Sequence, residues 1–131
     1  MSNWHARADV KALAVGLGVV TLGTVGLLLV WDATPTSFPA AAHVVLGATS
    51  LGLIALSYLI YQLHVRPSRG RLARAIILAL AFLCWAANQA LGAGRLSTLF
   101  NDLAIGLFVF DVLLTMAGWP TDTDAPRELL Q

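Results

Sequence analysis

The chain has 131 residues, of which 58% are apolar and only 11% charged, with a mean hydropathy of +0.78. A water-soluble domain carries about a quarter of its residues as charges, and a disordered tail lacks apolar surface, so both classes are excluded. A bilayer is the remaining solvent, and at roughly 20 helical residues per crossing this length holds at most four or five spans with brief loops.

The first uncharged stretch, Ala12 to Trp31, follows Lys11 and precedes Asp32. Its twenty residues exceed the roughly 7–15 of a signal-peptide apolar region, so it reads as an uncleaved anchor, despite the small-residue run Ala40, Ala41, Ala42 beyond it. The second runs from Ala33 to Val65 and enters its helix through Pro39, with Thr36 or Ser37 as the expected cap. Pro67 and Gly70 break the chain before the third, Ala75 to Gly94, which Gly92 and Gly94 close. The fourth, Leu103 to Thr121, contains one charge, Asp111; Ser97 or Thr98 is its expected cap and Pro120 its end. The expectation is an all-α, polytopic four-transmembrane-helix bundle as a single domain. Its helices lie near 11–31, 40–64, 72–92 and 98–119, and a short polar tail covers 120–131.

Positive charge sets the orientation, because short loops rich in Lys and Arg stay in the cytoplasm. Arg7, Lys11, Arg66, Arg69, Arg71, Arg74 and Arg127 would share one side, against Arg95 alone on the other. Both termini are therefore expected in the cytoplasm of a bacterial-type inner membrane. Trp31 and Trp119 fall at span ends, where an interfacial aromatic belt is expected.

Polar and small residues recur along each helix at alternating spacings of three and four. The seams are Ala12, Gly16, Val19, Gly23, Gly26; His43, Gly47, Ser50, Ile54, Ser57, Tyr61, His64; Ile77, Ala81, Cys84, Asn88; and Asn101, Ala104, Phe108, Asp111, Thr115, Gly118. Such seams let membrane helices approach closely and exchange hydrogen bonds. Asp111 is the charge that topology leaves unexplained. Placed at mid-span, a carboxylate costs about 2.5–3.5 kcal/mol unless it is protonated or paired. Matching depths across the hairpins sets it level with Ala79 and Ser57, so an intramembrane polar cluster of Asp111, Ser57 and Tyr61 is expected. A second network, Asp32, His43, Asn88, Asn101 and Asp102, is expected at the outer face, with Asn88 bonding Asn101 across the hairpin and Arg95 near Asp102.

Chemistry narrows by elimination. Cys84 is the single cysteine, so disulfide and CxxC redox chemistry are out, and it reads as a small buried hydrophobe. His43 and His64 stand 21 residues apart on one helix, about 31 Å, and cannot share a haem iron. Neither a His64–Met116 haem pair nor a metal site of His43, Asp32 and Asp102 has specific spacing, and the same holds for a quinone site of His43, Trp85 and Asn88. No cofactor or metal is expected. There is no nucleophile with a base and no phosphate loop, and the acids Asp102 and Asp111 lie over 13 Å apart along one helix, so an enzyme is not expected. A net charge of +1 points away from nucleic acid. The expected partners are membrane lipid and other membrane subunits or a second copy, with Phe82, Phe100, Phe108 and Phe110 as an outer contact surface. The function expected is that of an accessory or interaction subunit of a larger membrane assembly or homo-oligomer. A proton- or cation-coupled transporter using Asp111 is the alternative.

Overall fold

The computed structural model describes residues 3–33, 40–65 and 67–120. It is all-α: α1 spans Asn3–Ala33, α2 Ala40–Val65, α3 Arg69–Leu91 and α4 Arg95–Met116. All four are long and apolar enough to cross a membrane, the qualifying stretches being Asp9–Trp31, Ala41–Val65, Arg69–Leu91 and Arg95–Met116. Their outer faces carry large side chains such as Leu22, Leu29, Leu63 and Met116 well exposed, a surface that lipid solvates and water does not.

The helices run up and down. Ala14 meets Ser57, Thr24 meets Ser50 and Trp31 meets His43, so α1 and α2 are antiparallel. The order of Asn88–Ser97, Phe82–Phe108 and Arg74–Asp111 gives the same for α3 and α4. Close packing joins α1 to α2, α2 to α3 and α3 to α4, whereas the backbones of α1 and α4 stay apart among the described residues. The bundle is therefore open. Among the described residues α4 contributes least to the core, with Ala104 alone buried, while α1 buries Ala14, Thr21 and Trp31, α2 Ser50, Ala55 and Ser57, and α3 Ala75, Ala79 and Ala81. Among the described residues no large side chain is completely sealed, and the core is made of alanines and Trp31 with Thr21, Ser50 and Ser57. Small residues let backbones approach, which in lipid takes the part that hydrophobic burial plays in water.

Helix ends depart from the sequence expectation in instructive ways. Expected caps at Thr36, Ser37 and Pro39 lie outside the described residues, as does the tail beyond Pro120. The start of α3 is at Arg69, with Ser68 as its N-cap accepting from the Arg71 amide at 3.5 Å, and Gly70 falls inside the first turn rather than before it. A Cβ on Gly70 would stand 2.5 Å from Pro120 Cβ, so the glycine is what lets the segment after α4 lie on α3. The start of α4 is at Arg95 behind Gly94, three residues earlier than expected, because neither hydroxyl acts as its cap. Ser97 donates to Asn88 Oδ1 and Thr98 to its own helix at Gly94 O. The end of α4 is set before Pro120. Gly118, at φ +69°, donates to Thr115 O and Trp119 to Leu114 O, the paired bonds of a Schellman ending that a left-handed residue permits.

Candidate functional site

The earlier start of α4 moves Asp111. It now lies 16 residues after Arg95 and only five before Met116, about 7.5 Å of helix from the end of α4 rather than at mid-span. The hairpin is centred on Ala93, so Asp111, 18 residues beyond it, is nearly level with Arg74, 19 residues before it. The two side chains meet. Arg74 Nε donates to Asp111 Oδ1 at 3.0 Å and Nη2 to Oδ2 at 3.3 Å, a two-point pairing that fixes the orientation of both planar groups. Thr115 completes the arrangement: its hydroxyl accepts from Arg74 Nη2 at 2.5 Å and donates to the Asp111 carbonyl at 2.8 Å. The carboxylate is 14% exposed and the guanidinium 28%, so the pair is largely shielded without being sealed.

The expected cluster of Asp111 with Ser57 and Tyr61 does not assemble. Ser57 donates instead to Ala14 O of α1 at 2.6 Å, and Tyr61 lines a groove beside α1. Tyr58, next to Ser57, lies on the α2 side of the ion pair. With Gln62, Arg71, Arg74, Leu78 and Asp111 it lines a cavity of about 220 Å³. In the sequence Arg74 reads as a topology charge alone, and the signal that finds its partner is the hairpin turn at Gly92–Gly94, which sets the α3–α4 register.

The outer-face network divides among separate contacts. His43 packs edge-on against Trp31, ring centroids 5.9 Å apart. Asn88 takes Ser97 rather than Asn101 as its partner across the hairpin. Asn101 is half-buried and Asp102 exposed on α4, and the Asp32 side chain lies outside the described residues. The structure does not bring these five residues to one point. Cys84 is half-buried on α3. Phe82 and Phe108, expected as an outer contact surface, instead face each other between α3 and α4 at 5.3 Å and 89°, with Trp85 on the other edge of Phe108 at 6.2 Å.

The α2 seam meets α1 at His43, Ser50 and Ser57, with Gly47 beside Gln89 of α3, and the α4 seam meets α3 at Phe108, Asp111 and Thr115. The α1 seam is turned away. Helix α1 meets α2 through Ala14, Gly18, Thr24 and Trp31, whereas Ala12, Gly16, Val19, Gly23 and Gly26 lie roughly half a turn away around the helix and are exposed. Among the described residues, a Cβ placed on Gly16, Gly23 or Gly26 meets nothing within 4 Å.

Among the described residues no three His, Cys, Asp or Glu side chains gather in one place. What the arrangement offers chemically is a paired guanidinium and carboxylate at the edge of a polar cavity, flanked by a second arginine and a phenol. The chain matches no family model, no curated protein and no solved structure.

Proposed function

We propose that this protein is a non-catalytic subunit of a larger membrane assembly or homo-oligomer, embedded in a bacterial-type inner membrane with both termini cytoplasmic. The orientation is supported by charge. The start of α1, the α2–α3 connection and the end of α4 share one end of the bundle, where Lys11, Arg69, Arg71 and Arg74 lie, while Arg95 stands at the other. The observation that carries the assembly reading is the α1 seam turned away from the rest of the chain. Glycine inside a helix costs about 1 kcal/mol relative to alanine, and among the described residues nothing packs within 4 Å of a Cβ at Gly16, Gly23 or Gly26 to offset it. A second helix laid against that face would recover it, as small-residue seams do in membrane helix pairs.

A carrier role for Asp111 has less support. A carboxylate held by two guanidinium N–H groups has its charge already matched, whereas a proton carrier must exchange its proton with water.

The test is native mass spectrometry after mild extraction, with Gly23→Ile as the perturbing variant. Open space around Gly23 leaves the fold room for the larger side chain, so the expected result is an assembly that dissociates at unchanged helix content. A wild-type protein that migrates as a monomer without any partner would overturn the reading.

A further inference from the structure

The polar cavity has an apolar neighbour. A groove of about 210 Å³ runs along α1 and α2, lined by Ala14, Val15, Ile54, Ser57, Tyr58 and Tyr61. Tyr58 lines both spaces, and the α2 residues involved, Ile54, Tyr58, Tyr61 and Gln62, occupy one side of that helix. Cavity and groove therefore open on the same side of the bundle, one after the other. The first is walled by two arginines, an amide, a phenol and one carboxylate; the second is walled almost entirely by hydrocarbon and aromatic ring.

Depth agrees with this division. Arg71 and Arg74 lie in the first two turns of α3, within about 7.5 Å of its start, whereas α3 with its 23 residues is about 34 Å long. A hydrocarbon layer of about 30 Å leaves that first part of the helix at or just under the headgroup level, where an arginine stem lies along apolar surface and its head reaches outward. Asp111 and Thr115 engage Arg74 through Nε and Nη2, so among the described residues the Nη1 hydrogens carry no bond. Asp111 therefore orients this guanidinium and leaves its Nη1 edge to a further acceptor.

We infer that cavity and groove together form a binding site for an anionic phospholipid. The phosphate is held by Arg71 and Arg74 with Tyr58 and Gln62 as further hydrogen-bonding groups, and one hydrocarbon chain lies along Val15, Ile54 and Tyr61. Basic pockets between helices at the headgroup level are the usual means by which membrane proteins hold such lipids. Planar guanidinium groups match phosphate oxygens two at a time. The acyl groove separates this site from one for free phosphate, which would need no hydrocarbon wall. The inference rests on the helices spanning a membrane and is independent of the assembly proposed above.

The experiment uses the full chain in a mild non-ionic detergent, its thermal midpoint titrated with phosphatidylglycerol, phosphatidylcholine and inorganic phosphate. Phosphatidylglycerol raises the midpoint at a concentration at least tenfold below that needed of phosphatidylcholine, and inorganic phosphate has no effect in the same range. Arg71→Gln raises the half-saturating phosphatidylglycerol concentration about tenfold, as loss of one charged hydrogen bond requires. Val15→Trp, which fills the groove, weakens phosphatidylglycerol in the same direction. Equal response to the two lipids, or an unchanged response in Arg71→Gln, overturns the site. Equal stabilisation by inorganic phosphate, or no effect of Val15→Trp, overturns the lipid as its occupant. None of these outcomes bears on Gly23→Ile, so failure here is distinguishable from failure of the assembly reading.

Discussion

The α1–α2 and α3–α4 interfaces solve one problem in opposite ways. Between α1 and α2 the polar contacts are neutral, and the hydroxyls of Thr24 and Ser50 each have a fallback. Thr24 and Ser50 lie 2.6 Å apart, yet each is also within reach of a carbonyl of its own helix, Thr21 O at 2.7 Å and Leu46 O at 2.7 Å. Two hydroxyl hydrogens serve three acceptors, so one hydroxyl makes the bond between helices while the other bonds back. If the helices part, neither group is stranded. Between α3 and α4 the critical contact is the ion pair of Arg74 with Asp111. A neutral seam tolerates loss of a member; an ion pair near the hydrocarbon does not, because removing one partner leaves a charge rather than a hydroxyl.

The largest effect should come from splitting the pair. Arg74→Gln is expected to destabilise the fold by about 2–3 kcal/mol, somewhat below the cost for a fully buried pair because both groups are partly exposed. The double variant Arg74→Gln with Asp111→Asn should recover most of that loss, since two amides can still bond each other. A detergent unfolding titration measures both, and equal instability of the single and double variants would remove the ion pair from the comparison.

Next comes Gly70→Ala. The added methyl meets Pro120 at 2.5 Å, and overpacking of this kind costs about 1–3 kcal/mol. The same substitution at Gly16 or Gly26, where the space is open, should be neutral or slightly stabilising by the same titration.

The smallest effect is expected at the neutral seam. Ser57→Ala removes the bond to Ala14 O, and intramembrane hydrogen bonds of this type average about 0.6 kcal/mol. A loss above about 2 kcal/mol would mean that the α1–α2 interface is no more forgiving than the ion pair.

Much of the architecture is legible along the chain, because a span declares itself locally. Twenty apolar residues between charges need no knowledge of the rest of the fold, and the three-four alternation of the α2 and α4 seams marks their inner faces. Boundaries are less legible. Ser97 reads as a cap, but its one hydrogen goes to Asn88, and no local rule says which acceptor a hydroxyl will choose. That small error propagates. An α4 taken to start three residues late shifts its register against α3, and the shift changes the predicted partner of Asp111 from Arg74 to Ser57. Similarly, Arg74 resembles every other basic residue near a span end until the hairpin aligns it with a carboxylate.

Composition and hydropathy alone determine that this is a chain of four apolar, membrane-length helices with its positive charge gathered at one end. These are properties of single segments in a solvent. Which seam faces inward, which carboxylate meets which guanidinium, and that Tyr58 borders both a polar cavity and an apolar groove were decided only by tertiary structure. Each of these depends on the register between helices, and register is set by the length and geometry of a turn, a quantity that no one helix contains.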